Sequence, residues 1–498
     1  MRTSILGQAR RTTAIRCTAE QQRVVDSNAR ILAVDAGAGT GKSSTLEAYS
    51  LARPAKRILL VCFNRSIAEA AKMRYPSNVE CRTTHSLAFA KVGRAYSHKL
   101  GNPSAYDISA QTKSGVRLSK HALDTINNWL TSVDGQMDDA HVSDDISDPM
   151  QRAATLELAK VVWAGMADVN SPVKMPHDGY LKLWALTKPR LPYDILLLEE
   201  AQDTNPVTLD LILAQREHAQ LVFVGDRHQG IYGFRKAVNA MESVPADERA
   251  PLTQSFRYPE AIAEIATALL QTYKQEKNVL HGLADAPIGW KVDRAKHYAI
   301  LSRTNSTLFG ELAVLVTGPQ PVNAIHYVGG FGNYFFDKVL DAYRLWAGDT
   351  DSIRDGSIQR FTSFNALTEY SEEADDPESK ALVRVVKEYT GDIPAIYAAL
   401  KAAEVPEERA QITVSTAHKA KGLEWQQTVL TEDFIELPPD EEKGYDPEEI
   451  NLLYVAITRT MRNVEIPQNL REWFDEYQAE RSLAAEHSGL NEDSAPRY

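Results

Sequence analysis

Short apolar runs alternate with amphipathic segments along the first half of the chain. Each run is too short for a buried helix and is bounded by polar or turn-forming residues, which is typical of a buried strand. These predicted strands lie at 31–34, 57–63, 195–198 and 221–224. Helices are expected from about Lys42 and over 67–73. Strands that alternate with helices predict an α/β fold in which helices cover both faces of a parallel sheet.

Length and composition narrow the class of protein. The 498 residues exceed one ordinary domain, so three or four structural units are expected. Hydrophobic residues make up 43% and charged residues 24%, which is the balance of a folded protein and excludes a disordered or collagen-like chain. The longest apolar runs are far shorter than the roughly 20 residues that cross a bilayer, so no membrane partner is expected.

Cysteine content bears on the compartment. Cys17, Cys62 and Cys81 are too few for a disulfide framework, and no CxxC pair indicates a zinc site. A reducing compartment is therefore expected, which is the cytoplasm for a bacterial or phage protein and the nucleus for a eukaryotic one, and secretion is not expected.

Charge is unevenly distributed along an acidic chain. The net charge is −12, which argues against a surface that coats nucleic acid non-specifically. Residues 51–100, however, contain ten Lys or Arg and two Asp or Glu, whereas residues 431–450 contain one Lys and nine Asp or Glu. This asymmetry permits one basic groove on an acidic body, although composition alone favours a solvated helix face.

A glycine-rich segment directly follows the first predicted strand. Its glycines would let backbone N–H groups converge on phosphate oxygens, and the helix behind them would add its N-terminal dipole. Lys42 would neutralise the β- and γ-phosphates and Ser43 would bind Mg²⁺. Ala36 stands where the strict pattern has glycine, and the alternative is a glycine-rich turn before a lysine. The predicted loop comprises Ala36, Gly37, Ala38, Gly39, Thr40, Gly41, Lys42, Ser43 and Ser44.

Two acidic residues follow the predicted strand at 195–198. Glu199 and Glu200 could place one carboxylate on Mg²⁺ and the other beside an attacking water. By itself, an acidic helix cap explains this pair better.

The predicted strand at 221–224 also leads into polar residues. Asp226 and Gln229 come first, and two aromatic residues and an arginine follow. Aromatic rings beside arginine suit stacking on unpaired bases and contact with phosphate, but on their own the two rings fit a hydrophobic core better. These residues are Tyr232, Phe234 and Arg235.

Together these segments resemble superfamily 1 helicases of the UvrD/Rep/PcrA type. Further motifs resemble that family in the family's order, at 18–21, 61–65, 83–86, 252–258, 300–305, 414–425 and 451–459. Ordered agreement of so many motifs argues against chance. Within the superfamily, the nearest resemblance is to the helicase portion of F-box DNA helicases, at 177–184, 200–203, 225–229 and 234–240. Because the segment before the first motif is short for an F-box, the resemblance is taken to imply the helicase motor alone. Recruitment to a ubiquitin ligase is not expected.

The resemblance implies two RecA-like parallel-sheet cores with ATP between them and a mostly helical insertion in each. The expected segments are 1–90 and 180–256 for the first core, 91–179 for its insertion, 257–349 and 410–475 for the second core, 350–409 for its small insertion and 476–498 for an acidic tail. The small insertion is near the lower limit for an independent core.

Roles at the nucleotide also follow from the resemblance. Glu200 would orient or deprotonate the attacking water, and Glu199 would join Ser43 on Mg²⁺, although the family has aspartate at that place. The remaining contacts would be Gln21 and Phe256 with adenine, Glu424 with ribose, Gln202 and Gln229 with the γ-phosphate, and the arginine fingers Arg257 and Arg459 with charge that develops in the transition state.

Single-stranded DNA would cross both cores. Several of the residues implied in DNA contact lie in the basic window 51–100. The base-stacking residues would be Phe63, Tyr232 and Phe234, and the backbone contacts would be Thr84, His85, Arg235 and His418.

The hypothesis is an ATP-dependent translocase and DNA helicase, 3′ to 5′, that acts on single-stranded, 3′-tailed or forked DNA in repair, recombination or replication. Two alternatives remain open, the first of them because of Glu199 and the small second insertion. One is an ATP-gated clamp or anti-recombinase that acts on a recombinase filament without productive unwinding. The other is a motor subunit that works with a nuclease partner or in a defence complex.

Overall fold

The computed structural model describes residues 15–233, 239–283, 289–373, 376–439 and 444–492. The chain divides into two compact units, Met1–Thr253 (unit 1) and Gln254–Tyr498 (unit 2). Each unit is built on its own parallel sheet, which confirms the predicted α/β class with two sheet cores.

A six-stranded sheet forms the centre of unit 1, and its neighbouring strands are all parallel. Its strands are β1 (Ile31–Ala36), β2 (Ile58–Val61), β3 (Val79–Arg82), β4 (Ile195–Glu199), β5 (Gln220–Gly225) and β6 (Glu248–Leu252). They lie in the order β3-β2-β4-β5-β1-β6. The four strands predicted from the sequence are confirmed as β1, β2, β4 and β5. Because the strands are parallel, the segments that follow β1, β4 and β5 meet at one edge of the sheet.

Most helices of unit 1 are preceded by a polar or proline residue that suits a helix start. Asn64, for example, accepts a hydrogen bond from the Ile67 amide and so caps the third helix. The helices are α1 (Ala19–Asp26), α2 (Lys42–Leu51), α3 (Arg65–Arg74), α4 (Thr84–Lys91), α5 (Ala105–Thr112), α6 (Val116–Thr131), α7 (Pro149–Ala167), α8 (His177–Leu186), α9 (Pro206–Leu213) and α10 (Ala240–Ser243). The two helices predicted from the sequence are confirmed as α2 and α3.

The sheet of unit 1 has a hydrophobic core on each face. Leu32 and Val34 pack on one side with residues of α1, α2 and α3. Ile31 and Ala33 pack on the other side, because successive side chains of a strand point to opposite faces. The second core also contains Ile126 of α6, so the helical segment that was expected as an insertion shares its core with the sheet.

Unit 2 contains a five-stranded parallel sheet and a separate parallel pair. The pair is β7 (Gln254–Pro259) and β8 (His281–Leu283), and the sheet comprises β9 (Tyr298–Ser302), β10 (Ile325–Tyr327), β11 (Ile412–Thr416), β12 (Trp425–Leu430) and β13 (Thr460–Glu465). The strand order is β10-β11-β9-β12-β13.

Unit 2 also contains a series of α-helices. They are α11 (Glu260–Lys274), α12 (Asn305–Thr317), α13 (Phe336–Ala347), α14 (Phe364–Glu373), α15 (Pro377–Tyr389), α16 (Ile393–Ala402), α17 (Ala417–Ala420), α18 (Pro447–Ile457) and α19 (Gln468–Glu492). Leu367, Val386 and Leu400 of α14–α16 pack in one cluster with Ile300 and Val414 of the sheet. The helices within 350–409 therefore do not form a core of their own, because so few residues bury too little surface alone.

The end of the described chain is helical. The segment expected as an acidic tail from residue 476 continues α19 as far as Glu492. Trp473 and Phe474 are buried and anchor the first part of this helix. In the part of the chain that the structure describes, no helix combines the length and the apolar character that a membrane span requires.

Candidate nucleotide and nucleic-acid sites

The loop between β1 and α2 has the geometry of a phosphate cradle. Gly39 and Gly41 have φ values of 74° and 81°, in the left-handed region that glycine adopts without strain. The Thr40 hydroxyl donates to the Gly37 carbonyl (2.9 Å) and closes the loop. Because Gly41 has no side chain with which to cap α2, the amides of the first helical turn can serve an anion.

Ala36, which departs from the strict loop pattern, is the last residue of β1. It is 2% exposed and pairs in register with Leu252 of β6. The Gly37 amide donates to the Leu252 carbonyl (3.0 Å) directly afterwards. Alanine adopts extended strand backbone freely, so the departure from glycine leaves the geometry of the loop intact.

The first turn of α2 carries the polar side chains of the loop. Lys42 is partly exposed at the start of the helix. Ser44 accepts a hydrogen bond from Arg74 (2.7 Å), and Arg74 also pairs with Glu47 (2.7 Å). The structure thus places Lys42 and Ser43 at the cradle, while Ser44 is held by the neighbouring helix α3.

Ser43 and Glu199, the predicted Mg²⁺ ligands, lie side by side. The Ser43 hydroxyl donates to a carboxylate oxygen of Glu199, which ends β4. Burial raises the pKa of Glu199 and the charge of Glu200 adds to the rise, while the Ser43 bond opposes it. A hydroxyl and a carboxylate are hard oxygen donors, and Mg²⁺ at phosphates uses only one or two protein carboxylates, so this pair fits the metal. Within the described residues, no cluster of three or more His, Cys, Asp or Glu offers another metal site.

A chain of hydrogen bonds connects the loops that follow β4 and β5. Gln202 donates to the Glu200 carboxylate (2.6 Å) and accepts from the Asp226 amide (3.2 Å). Asp226 accepts in turn from the side chain of Gln229 (2.8 Å). Glu200 has a φ of 53°, a left-handed conformation that is uncommon outside glycine and that clusters at functional sites.

Gly225 makes this close approach of the two loops possible, and the sequence pattern did not single it out. A Cβ atom at Gly225 would lie 2.5 Å from Oε1 of Gln202 and 3.1 Å from the Ala201 amide. Any side chain would therefore push the two loops apart. A glycine at the end of a strand, just before polar residues, is the available sequence signal.

Gln21 lies beside the phosphate loop with its amide already oriented. Its Oε1 accepts from the Thr18 amide (3.0 Å), and its Nε2 donates to the Thr40 carbonyl (3.3 Å). The sequence did not point to the neighbouring Glu20, whose carboxylate accepts from both the amide (2.7 Å) and the hydroxyl (2.8 Å) of Thr253. The capping box at the start of α1 thus fixes the orientation of the Gln21 side chain, which is expected to contact adenine.

Unit 2 carries the other predicted nucleotide contacts. The Phe256 side chain on β7 is 50% exposed, as a stacking role requires. Arg257 pairs with Glu424 (2.7 Å) and donates to the Thr458 carbonyl (3.2 Å). The structure therefore brings together the predicted arginine finger and the predicted ribose contact.

Arg459, the second predicted arginine finger, is only 1% exposed. Its guanidinium donates to the carbonyls of Val455 (2.9 Å) and Leu423 (3.3 Å). The sequence motif gave no indication of this burial.

Two of the predicted base-stacking residues meet at the ends of β2 and β5. The rings of Phe63 and Tyr232 are stacked, with centroids 6.4 Å apart and planes 10° from parallel. Phe63 is 49% exposed and Tyr232 is partly exposed, so neither is a core residue. The predicted contacts Phe234 and Arg235 lie outside the described residues.

A basic cleft of about 610 Å³ opens beside Phe63. His85 lines it and contacts Asp178 (2.9 Å), a partner that the sequence did not reveal. The cations that line the cleft are Arg65, Lys72, Arg82 and Arg94. Thr84 is instead 7% exposed and accepts from Thr208 (3.3 Å), and His418 lies partly exposed on α17 of unit 2.

Residues 21–235 match the family described as an AAA domain. Among curated proteins, F-box DNA helicase 1 of Gallus gallus is 32% identical over 95% of this chain and 50% of its own length. F-box DNA helicase protein 1 of Schizosaccharomyces pombe is 28% identical over 90% of this chain and 57% of its own length. DNA helicase IV of Escherichia coli is 24% identical over 50% of this chain and 46% of its own. The chain thus spans about half the length of the curated relatives it matches.

The second family match is the longer one. Residues 192–466, more than half of the chain, match the UvrD-like helicase C-terminal domain. This match runs through β4, the Glu200–Gln229 hydrogen-bond chain and most of unit 2. The chain therefore belongs to the UvrD-like helicase family.

Proposed function

We propose that this protein is an ATP-dependent DNA translocase and helicase that moves 3′ to 5′ along single-stranded DNA. The observation that carries the proposal is the hydrogen-bond chain from Glu200 through Gln202 and Asp226 to Gln229. One end of this chain is the carboxylate proposed to activate water, and the other leads into the loop of Tyr232. A hydrogen-bonded connection of this kind gives hydrolysis a physical route to the DNA contacts.

In the proposed reaction, unit 1 binds the phosphates and positions the water. Lys42 and the loop amides hold the β- and γ-phosphates, and Glu200 orients or deprotonates the attacking water while Gln202 fixes its carboxylate. Mg²⁺, held by Ser43 and Glu199, would neutralise phosphate charge. Gln229 is proposed to contact the γ-phosphate and so to sense its presence. The residues of unit 2 proposed to contact the nucleotide are Phe256, Arg257, Glu424 and Arg459.

The proposed DNA contacts combine stacking with a basic cleft. Phe63 and Tyr232 present an exposed aromatic pair, and His85 lies in the adjoining cleft among four cations. Phe234, Arg235, Thr84 and His418 are retained as proposed contacts from the resemblance. A 3′-tailed or forked substrate and a role in repair, recombination or replication fit such a motor.

The proposal predicts that single-stranded DNA stimulates ATP hydrolysis. Binding of a base at Tyr232 would shift the loop that carries Gln229 and complete the arrangement at Glu200. Steady-state ATPase rates with and without single-stranded DNA measure this stimulation, and a 3′-tailed duplex tests unwinding. Equal ATPase rates in the two conditions would contradict the coupling, and stimulation without strand separation would limit the activity to translocation.

A second candidate is an ATP-gated DNA clamp, such as one that acts on a recombinase filament or serves a nuclease complex. The observation that favours it is Glu199, which bonds directly to Ser43 in the place where the resemblance implies aspartate. Glutamate has one more methylene than aspartate, so it must bend to occupy the same place beside Mg²⁺, whose geometry is strict.

Substitution of Glu199 by aspartate separates these two functions. We expect Glu199→Asp to keep or raise ATP turnover, most visibly when Mg²⁺ is scarce, because the shorter carboxylate suits the octahedral geometry. The measurement is the ATPase rate against Mg²⁺ concentration, with Glu199→Ala as the control that removes the carboxylate. A native protein that is inactive at saturating Mg²⁺ and DNA, but active as Glu199→Asp, would favour the clamp.

Removal of the exposed ring of Phe63 tests the stacking contact. Stacking on one base contributes about 1–3 kcal/mol, so Phe63→Ala is expected to weaken binding of single-stranded DNA by about 5- to 150-fold. Fluorescence anisotropy with a labelled oligonucleotide measures the affinity. Met73, 83% exposed on α3, provides the control Met73→Ala, which should bind like the native protein. Loss of thermal stability in Phe63→Ala with unchanged affinity would instead assign the ring to the core.

A further inference from the structure

A second cleft, of about 640 Å³, lies in unit 2 and plays no part in the proposed reaction. It is formed by the end of α11, by Pro438 and Pro439, and by one face of α19. Its chemistry is aromatic and acidic, and we call it the aromatic–acidic cleft. Its principal lining residues are Tyr273, Tyr445, Trp473, Tyr477, Glu476 and Glu480.

The aromatic rings of this cleft present faces in several directions. Tyr273 lies 6.2 Å from Tyr445 with the two ring planes at 83°, and 5.7 Å from Trp473 with the planes at 35°. Tyr477 extends the wall at 5.8 Å from Trp473. Ring faces carry negative charge density, so a pocket walled by differently oriented rings attracts a cation from more than one side.

Carboxylates stand beside these rings. Glu476 and Glu480 are one helical turn apart on α19 and both are exposed. Within the described part of the chain, neither forms an ion pair. Like charges at this spacing repel each other, so a cation placed between them would relieve the repulsion. Arg481, the nearby cation of α19, lies over the Tyr477 ring at 5.9 Å, which is near the limit of such a contact.

We propose that the aromatic–acidic cleft binds a lysine or arginine side chain from a basic segment of a partner protein. Charge complementarity selects this occupant, because the carboxylates attract a cation and repel the phosphates of nucleic acid. The volume exceeds that of one side chain and leaves room for the flanking peptide. Pro438 and Pro439 supply a rigid apolar wall for the aliphatic stem of that side chain.

Fluorescence polarisation with the full chain tests the aromatic part of the proposal. The probe is a fluorescein-labelled peptide of alternating arginine and glycine, and the reference is the same peptide with glutamine in place of arginine. Tyr445, which is 39% exposed, can be changed with little loss of core. We expect Tyr445→Ala to weaken binding of the arginine peptide about 2- to 30-fold, and Tyr445→Phe, which keeps the ring, to bind like the native protein.

Paired charge reversals test the acidic part. Glu476→Lys with Glu480→Lys should abolish binding of the arginine peptide, whereas Glu157→Lys with Glu217→Lys makes the same change of charge on exposed sites of unit 1 and should not. Thermal unfolding checks that each variant is folded, and the ATPase rate should stay at its native value.

Four outcomes would overturn the proposal. Three of these are no binding of the arginine peptide by the native protein, equal binding of the glutamine peptide, and equal losses in the two paired charge reversals. A loss in Tyr445→Phe as large as in Tyr445→Ala would also overturn it, because the ring would then not be the binding group.

Discussion

Replacement of Lys42 by alanine is expected to abolish ATP hydrolysis while the protein stays folded. Gly39 and Gly41 set the backbone of the phosphate loop, and the Thr40 hydroxyl closes it, so the loop keeps its shape without the lysine. The lost group is the cation that would balance charge on the β- and γ-phosphates. Removal of one preorganised charge-stabilising group commonly lowers turnover by about 10²- to 10³-fold, and a loss of at least this size is expected.

The control for Lys42→Ala is Lys56→Ala, which removes an exposed lysine of the basic window 51–100. Both variants lose one positive charge, and only Lys42→Ala should lose ATP turnover. Steady-state ATPase assays in the presence of single-stranded DNA, with thermal unfolding as the check on folding, give the comparison. Turnover in Lys42→Ala within a few-fold of the native rate would show that the loop is a structural turn.

Replacement of Glu200 by glutamine is expected to give a protein that binds ATP and DNA but hydrolyses ATP about 10²- to 10⁴-fold more slowly. Glutamine has nearly the same shape as glutamate, so the backbone turn and the contact with Gln202 can persist. It cannot accept a proton from water, and a positioned general base contributes an acceleration of this order. Nucleotide-binding assays measure ATP binding, and single-turnover assays measure hydrolysis of the bound ATP.

A control variant within the same hydrogen-bond chain distinguishes a loss of ATP hydrolysis itself from a loss of its stimulation by DNA. Gln202→Ala keeps the Glu200 carboxylate and removes the link to Asp226. It should retain more of the DNA-independent ATPase activity than Glu200→Gln and lose stimulation by single-stranded DNA. If Glu200→Gln hydrolysed ATP at the native rate, water activation would have to be assigned to another residue.

Much of the site follows from local sequence because it rests on local physical rules. Glycines where the backbone must be left-handed, a helix directly after the loop and carboxylates after an apolar strand all fit within a few residues. That Glu199 would join Ser43 on Mg²⁺ was expected from the family resemblance, and the two side chains are in contact where the ends of parallel strands meet at one edge of the sheet. Four strands and two helices of unit 1 were predictable from apolar runs and their spacing.

Other features depend on residues that are far apart in the chain. The bond between His85 and Asp178 joins α4 to α8, and the pairing of Arg257 with Glu424 spans most of unit 2. The burial of Arg459 is decided by the elements packed around it. No local pattern encodes these contacts, because they depend on which helix faces meet.

The parallel α/β class, the phosphate loop and the acidic pair after β4 could be inferred from the sequence, since each depends on backbone geometry and spacing over short distances. The three-dimensional fold was needed to show that the helices of 350–409 complete the core of unit 2, that the chain is helical to Glu492 and that Tyr232 is accessible for stacking. The fold also brings about the hydrogen-bond chain from Glu200 to Gln229, which requires the close approach of two loops at Gly225. The reason is that burial and close packing depend on the whole fold, whereas turn and strand preferences act between neighbours.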